Sequence, residues 1–404
     1  MRIMVINTYY YPEIVGGAEY SVKKLSEKLV QEGHTVRVLC TGKENSQEII
    51  DGVEVVRIKD GVVVKTADAP NANAFVKLHR WLQELWCVAN KGILEREIDD
   101  FNPEVIHTNG LYDISPIVWK IAKQRGIRVV HTLRDYFLMC PRVSLSCSHS
   151  SGTCQKPTFV CKLYRSVNRN SSKYVDVVTA PSSIVLNTLI SDGYFKESLG
   201  KVVPNATEFD EERVLKICQK RQERSYSAPQ FVFLGSLIQV KGIQWLIESF
   251  HRLENPDVKL YIAGKGELEE YVKSSVKQDS RIQFVGFLGE KEVSELLEKT
   301  DVLIAPSIWE EPFGRIVLDA YKHAMPVIVS VHGALPTLVS EGKNGIIVDD
   351  KRPDDLKNAM EYFISNPYKI AEFSKHSIEE LMRFSLDVQY QMFISIFLEK
   401  ESEV

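Results

Sequence analysis

The sequence has 404 residues, of which 44% are hydrophobic and 26% are charged, and its formal net charge is −4. These proportions are typical of globular proteins, and they exclude collagen-like, coiled-coil and disordered chains. The charge does not favour a nucleic-acid partner, and the apolar runs are far shorter than the roughly 20 residues of a membrane-spanning helix.

Short apolar strands alternate with helices through the first half of the chain. Apolar residues at Ala18, Val22, Leu25 and Leu29 predict a helix that ends at Gly33. The predicted strands of this half are residues 3–6, 36–39, 104–107, 128–133 and 175–179. Such alternation is typical of a mostly parallel sheet with helices on both faces.

The alternation restarts after a turn at residues 202–205 and a charged stretch at 208–224, which together predict a domain boundary. The predicted strands of the second half are residues 231–234, 259–263, 282–285, 302–305, 326–331 and 345–348. The predicted fold class is therefore α/β, with two doubly wound, Rossmann-like domains over residues 1–204 and 205–384. Ligands of such sheets bind beyond the carboxyl ends of the strands, so we expect the two domains to face a cleft that holds the substrate.

Residues 136–175 form a predicted insertion with six basic side chains and no acidic one. Its cysteines are spaced seven residues apart, at Cys140, Cys147, Cys154 and Cys161. Because zinc ligands usually come in pairs two to four residues apart, we favour buried reduced thiols, and a structural metal site is the alternative. The odd total of seven cysteines, without an export signal, predicts a cytoplasmic protein.

Residues 75–98 place apolar side chains on one face of a predicted helix, and most such faces pack in a core. Arg80 and Trp81 flank this face. Together with the basic insertion, they give the alternative of a peripheral contact with a membrane.

A glycine-containing turn follows the first strand of each half. Gly16 and Gly17 lead into the first helix. The glycine pair is interpreted either as a tight turn or as a place where backbone N–H groups contact an anion. Gly235 and Ser236 begin the equivalent turn of the second half, and Lys241 adds a cation there that suits a diphosphate. The alternative is a solvated residue at the start of a helix, but a cation is disfavoured there, so Lys241 favours an anionic ligand.

A third segment, residues 309–320, contains two acids eight residues apart, Glu311 and Asp319. Their carboxylates can accept hydrogen bonds from the hydroxyl groups of ribose or hexose rings. Backbone N–H groups from Gly314 to Ile316, at a predicted helix start, can bind phosphate or sugar oxygens. Acids also stabilise the first turn of a helix, so a purely structural interpretation stays open for this segment.

Taken together, these segments resemble family 4 of the retaining, nucleotide-sugar-dependent glycosyltransferases of the GT-B fold, over nearly the whole chain. The matching motifs are Gly16-Gly17, Gly33-His34, residues 103–107, Pro204-Asn205, Gly235 with Lys241-Gly242, residues 263–267, the Glu311-to-Asp319 segment, residues 333–336 and Asn344-Gly345. Residues 132–142 are similar to a subgroup that carries a cysteine-containing insertion.

The resemblance implies transfer of a hexosyl group from a UDP-, GDP- or ADP-sugar to a glycan or lipid-linked glycan, with retention of the anomeric configuration. The reaction would belong to the synthesis of cell-surface polysaccharide or glycoconjugate, and it would require no metal cofactor. A location in the cytoplasm, including the inner face of the membrane, is implied. In this fold the last helix, here residues 385–404, commonly crosses back to the first domain.

The resemblance also implies roles for individual residues. The implied catalytic residues are Glu311, Lys241 and His107. The implied donor-binding residues are Gly16, Gly17, Gly235, Ser236, Lys241, Gly266, Glu267, Phe287, Glu311, Phe313, Gly314, Arg315, Ile316 and Asp319. The implied acceptor-side residues are Asn109 and Arg134.

Four residues depart from the pattern of the family. Ser236 stands where arginine is common, Asp319 where glutamate is typical, and Asn109 and Arg134 where histidines are usual. Arg134 could bind phosphate or form a structural salt bridge. His107 is then the remaining nearby histidine, either catalytic or structural at the end of a buried strand. These departures leave two alternatives open, which are a sugar-nucleotide epimerase or hydrolase and a catalytically silent nucleotide-sugar binding subunit.

Overall fold

The computed structural model describes residues 1–14, 16–59, 88–140, 145, 154 and 157–399. The chain divides into two compact units, one of residues 1–206 with 386–404 and one of residues 207–385. Each unit is built on its own largely parallel sheet with helices, so the predicted α/β class with two Rossmann-like domains is confirmed.

Among its described residues, the first unit contains eight strands, which are β1 (Arg2–Ile6), β2 (Thr35–Gly42), β3 (Ser46–Ile50), β4 (Val53–Lys59), β5 (Val105–Thr108), β6 (Arg128–Thr132), β7 (Val177–Ala180) and β8 (Leu199–Val202). Their order in the sheet is β3-β4-β2-β1-β5-β6-β7-β8, and only the β3–β4 pair is antiparallel. The helices of residues 1–206 are α1 (Gly17–Gln31), α2 (Val88–Phe101), α3 (Ile117–Gln124), α4 (Phe159–Ser171) and α5 (Ser183–Ser191).

Helix α1 shows why the local pattern folds as predicted. Val22, Leu25 and Leu29 are buried on its inner face and belong to the core of the first unit. Glu19 accepts a hydrogen bond from the Gly16 N–H at 2.8 Å, which satisfies a donor that the helix leaves unpaired. The chain then leaves the helix at Gly33, whose φ of 84° is accessible to glycine without strain.

Three strands of this sheet were missing from the prediction, namely β3, β4 and β8. Strands β3 and β4 form a hairpin whose turn, Asp51 and Gly52, has φ values of 50° and 82°. An Asp-Gly pair between two apolar segments is a strong hairpin signal, and it was available in the sequence. Of the predicted helix at residues 75–98, residues 75–87 lie outside the described part of the chain, and α2 covers the remainder.

The second unit contains six strands, which are β9 (Gln230–Leu234), β10 (Lys259–Ala263), β11 (Ile282–Gly286), β12 (Val302–Ala305), β13 (Val327–Ser330) and β14 (Gly345–Val348). They are all parallel, in the order β11-β10-β9-β12-β13-β14. The remaining helices are α6 (Glu211–Glu223), α7 (Ile243–His251), α8 (Glu269–Gln278), α9 (Glu290–Lys299), α10 (Arg315–Tyr321), α11 (Asp355–Ser365), α12 (Tyr368–Met382) and α13 (Leu386–Leu398).

Helix α13 follows the second unit in the sequence but belongs to the first unit. Its Phe393 and Phe397 are buried in the same core cluster as strands β1 and β2. Asp387 forms an ion pair with Lys28 of α1 at 2.6 Å.

Candidate functional site

The strand order of the second unit places its candidate site between β9 and β12. The chain moves outward from β9 in both directions, to β10 on one side and to β12 on the other, so a crevice is expected where β9 and β12 meet. The loops that leave these two strands are joined by a hydrogen bond from the Ile308 N–H to the Val240 carbonyl at 2.9 Å. Gly242 allows this approach, because a Cβ there would lie 1.9 Å from the Pro306 carbonyl oxygen.

This junction brings Lys241 and Glu311 together, although 70 residues separate them in the chain. The Lys241 ammonium donates to Glu311 Oε2 at 2.6 Å, and the Trp309 indole N–H donates to the same oxygen at 2.9 Å. Ser307 Oγ is a third donor, at 3.2 Å. Three donors on one oxygen hold the Glu311 carboxylate in a defined direction beside a cation. Such a pair can bind a ligand that carries both negative charge and hydroxyl groups.

Glycines also allow the loops after β9 and β10 to approach each other closely. A Cβ at Gly264 would lie 1.8 Å from the Gly235 carbonyl oxygen, and a Cβ at Gly266 would lie 2.4 Å from that of Leu237. The Leu237 N–H donates to the Lys265 carbonyl at 2.9 Å. The exposed Gly235 and Ser236 and the exposed Gly266 and Glu267 therefore lie on adjoining turns.

Phe287 follows β11 at the same edge of the sheet, and 68% of its surface is exposed. The Lys265 ammonium lies 4.6 Å from the centre of its ring, which is a cation–π contact. An exposed ring of this kind offers a stacking surface for a planar ligand. The predicted site included Phe287 but not Lys265.

Helix α10 begins directly after the Glu311 loop. Gly314 precedes it with a φ of 91°, and no side chain there caps the first turn, which Arg315 and Ile316 begin. Asp319, one turn later, forms an ion pair with Lys322 at 2.7 Å. The predicted acid pair is therefore carried by one continuous segment, with Glu311 on the loop before α10 and Asp319 within α10.

Phe313 differs from its neighbours, because its side chain is buried in the core of the second unit. Its ring packs against that of Phe384 with their centres 5.9 Å apart. The position therefore does not support the ligand contact predicted for this ring. Phe313 instead anchors the loop that carries Glu311.

His332, which was absent from the predicted site, lies behind the Glu311 loop. Its Nε2 is 2.7 Å from Asp350 Oδ1, and its Nδ1 is 3.8 Å from Glu310 Oε1. The nearby Glu310 carboxylate, and after it that of Asp350, raises the pKa of His332 to about 9 against the effect of burial, and the proximity of His332 lowers the pKa of Glu310. A histidine directly before a Gly-Ala pair carries no sequence signal for this role, because its partners are distant in the chain.

The first unit gathers the acceptor-side residues at the carboxyl end of β5. Asn109 Oδ1 accepts a hydrogen bond from Arg134 Nε at 2.9 Å, and Arg134 also donates to Asn205 Oδ1. Asn109 is buried, and its Nδ2 has no protein partner among the described residues. Gly16 and Gly17 lie in the same unit, at the start of α1, next to residue 15, which lies outside the described residues.

Asp135, next to Arg134, is a further titratable group that the predicted site omitted. Loss of hydration raises the pKa of its carboxyl to about 6, although the Phe137 N–H donates to it at 2.8 Å. Glu19 of α1 adds a repulsive charge that raises this pKa further.

His107 is completely buried in the first unit, away from solvent. Its Nε2 is hydrogen-bonded to Thr132 Oγ1 at 2.7 Å, and its ring lies 4.9 Å from that of Phe393 in α13. Burial lowers its pKa well below the ordinary value, so it stays neutral. This environment favours the structural interpretation of His107 over the catalytic one.

The cysteine-containing insertion is described only in part. Cys140, Cys154 and Cys161 are free thiols, and Cys147 lies outside the described residues. Across the described ranges, no group of three or more His, Cys, Asp or Glu side chains is arranged to hold a metal ion. Within the same ranges, no helix combines the length and the apolar character needed to span a membrane.

Two family models match the chain, one for each half. The model described as Glycosyltransferase Family 4 matches residues 15–211, and the one described as Glycosyl transferases group 1 matches residues 218–380. Among curated relatives, an uncharacterized 42.6 kDa protein in the cps region of Klebsiella pneumoniae is 28% identical, over 84% of this chain and 87% of the relative.

Solved structures share the fold at low sequence identity. Sucrose-phosphate synthase from Thermosynechococcus elongatus has a TM-score of 0.74 at 17% identity, with 98% of each chain covered. HepE of Anabaena, solved in complex with UDP, has a TM-score of 0.69 at 18% identity, with 98% of this chain and 99% of that chain covered.

Proposed function

Because this chain belongs to family 4 of the GT-B glycosyltransferases, we propose that it transfers a hexosyl group from a nucleotide-sugar to a glycan or lipid-linked glycan. The observation that carries the proposal is the contact of Lys241 with Glu311 at the β9–β12 junction. At this edge of the sheet, the cation of Lys241 suits the diphosphate of a nucleotide-sugar. The oriented carboxylate of Glu311 suits the hydroxyl groups of its sugar.

The proposed roles follow from what each group can bind. Lys241 and the backbone at residues 314–316 would bind the diphosphate, Glu311 the donor sugar and Asp319 the ribose. The base would lie at Gly266, Glu267 and Phe287, where the exposed ring permits stacking. UDP-, GDP- and ADP-sugars are the candidate donors, and HepE, which shares the fold, was solved with UDP.

We propose that transfer retains the anomeric configuration. The bond between the sugar C1 and the diphosphate oxygen breaks while the acceptor oxygen bonds to C1 on the same face. The acceptor proton passes to the departing phosphate oxygen, so atoms and charge balance without a further base. Lys241 stabilises the negative charge that develops on the diphosphate, and the proposal assigns no step to a metal.

Replacement of Lys241 by alanine tests this site. Purified protein is screened by thermal shift against UDP-, GDP- and ADP-sugars, where a ligand at about 100 times its Kd adds about 2.7 kcal/mol of stability. We expect one base to stabilise the wild type and Lys241→Ala to lose that response. With an acceptor in hand, transfer by Lys241→Ala should fall at least about a hundredfold.

The matched control is Lys277→Ala, which removes an exposed lysine of α8 and should keep the response. Near-normal transfer by Lys241→Ala would refute the placement of the diphosphate. If no nucleotide-sugar stabilises the wild type, the donor assignment itself is wrong.

We further propose that the first unit contacts a membrane from the cytoplasmic side when the acceptor is lipid-linked. Support comes from the first turn of α4, where Phe159 is 81% exposed and Val160 and Leu163 are also exposed. Lys162 lies within the same turn, and residues 136–175 contain no acid. Apolar side chains beside basic ones are typical of surfaces that bind anionic lipid.

A further inference from the structure

The loop that carries Glu311 is held from behind by a group of three charged residues, Glu310, His332 and Asp350. The ring of His332 lies between the two carboxylates, with Nε2 2.7 Å from Asp350 Oδ1 and Nδ1 3.8 Å from Glu310 Oε1. Glu310 comes from the loop after β12, His332 from the loop after β13 and Asp350 from the chain after β14. The ring therefore joins three consecutive loops at the carboxyl edge of the sheet.

Main-chain contacts carry this connection to Glu311. The Gly333 N–H donates to Glu310 Oε2 at 2.9 Å, and the Ala334 N–H donates to the Glu311 carbonyl at 2.8 Å. Gly333 lies so close that a Cβ there would be 2.1 Å from the Glu311 nitrogen. The backbone at residues 310 and 311 is thus pressed against the loop that begins at His332.

The direction of the Glu311 carboxylate depends on that backbone. One of its oxygens accepts hydrogen bonds from Lys241, Trp309 and Ser307, and these contacts require the loop to hold its position. A displacement of about 1 Å at such a site can lower a rate a hundredfold.

We propose that His332 is a positioning residue, which in its protonated form holds the Glu310–Glu311 loop so that Glu311 meets Lys241. The inference rests on the proposed function, since it takes Glu311 as a donor-binding acid. The proposed role acts through Glu310 and requires no contact between His332 and a substrate.

The charge state of the ring makes this role dependent on pH. Glu310 and Asp350 are the titratable groups that raise the pKa of His332 to about 9, against the opposing effect of burial. Because the folded-state pKa is above the ordinary 6.5, the contribution of the protonated ring is complete below about pH 6.5. It is lost as the pH rises through about 9.

Trp309 offers a readout that needs neither donor nor acceptor, because its indole N–H donates to Glu311. The fluorescence of Trp309 is obtained as the difference between the protein with and without Trp309→Phe, and it is followed from pH 6 to pH 11. We expect a transition near pH 9 in the wild type, no such transition in His332→Gln, and a shift to higher pH in His332→Lys, whose ammonium titrates near 10.4. His376→Gln is the matched control, since the partly exposed His376 of α12 pairs with the exposed Glu379 at 3.0 Å.

Persistence of the pH 9 transition in correctly folded His332→Gln would overturn the inference. Circular dichroism checks the fold, and His332→Lys provides a second test should the glutamine variant not fold. Donor-induced stabilisation at pH 7 should be weaker by about tenfold in Kd for His332→Gln. If the wild type binds no nucleotide-sugar, the proposed function fails, while the fluorescence result still decides whether His332 controls the Glu311 loop.

Discussion

At the scale of the residue, the donor side differs from the family pattern most clearly at Asp319. The side chain is one methylene shorter than the usual glutamate, and it forms an ion pair with Lys322 at 2.7 Å. The two residues are both partly exposed, so the pair contributes little to stability and leaves the carboxylate available. Aspartate in place of glutamate at position 319 therefore keeps the negative charge but shortens the distance that the side chain can reach.

Asp319→Glu should therefore alter donor binding alone. Restoring the longer acid is expected to tighten donor affinity by about fivefold, the effect of roughly one net hydrogen bond. Isothermal titration with the donor measures this affinity, and the acceptor KM should not move. The control is Asp257→Glu in an exposed loop. Unchanged donor affinity would remove Asp319 from the ribose site.

At the scale of the element, the site depends on loops that approach one another at glycines. Gly333 has a φ of 63° and lies against the backbone of Glu311, where a Cβ would be 2.1 Å from the nitrogen. Gly342 has a similar φ of 72°, yet nothing lies within 4 Å of a Cβ there. The two glycines share a backbone conformation and differ only in what surrounds them.

Alanine at these two positions separates backbone strain from close packing. Gly342→Ala should lower the free energy of unfolding by about 1 kcal/mol, because only strain is added. Gly333→Ala should lower it by about 3 kcal/mol or more, since the Glu311 loop must also move. Urea denaturation gives both values. Equal losses for the two variants would show that the approach of the two loops is unimportant.

At the scale of the whole molecule, the two halves of the sequence differ in charge. Residues 1–180 carry a net charge of +5 and the remainder −9. The exposed apolar turn at Phe159 lies in the positive half. The proposed membrane contact predicts that anionic lipid is attracted to residues 1–180 more than to the remainder of the chain.

A double change of Phe159 and Leu163 to serine should abolish retention on vesicles. Flotation with phosphatidylglycerol vesicles at low salt is expected to retain the wild type, and high salt should reduce that retention. Leu215→Ser is the control, because Leu215 is a half-exposed apolar residue of α6 in the negative half. Equal flotation of all three proteins, or none by the wild type, would contradict a membrane contact at α4.

Local patterns account for the parts of the fold that could be predicted. Apolar spacing and glycine positions are properties of adjacent residues, so α1, its end at Gly33 and most parallel strands were recognisable. The β3–β4 hairpin was missed although its Asp51-Gly52 turn is a local signal. The family resemblance, which joined weak motifs along the whole chain, is confirmed by the two family models.

The sequence by itself determined the α/β class, the two Rossmann-like domains and the family, because strand and helix periodicity and short motifs are encoded locally. Only the tertiary structure decided which side chains meet. It paired Lys241 with Glu311, buried His107 and Phe313, and placed His332 between Glu310 and Asp350. Those outcomes depend on the order of strands in each sheet and on packing between distant residues, and no spacing along the chain specifies either.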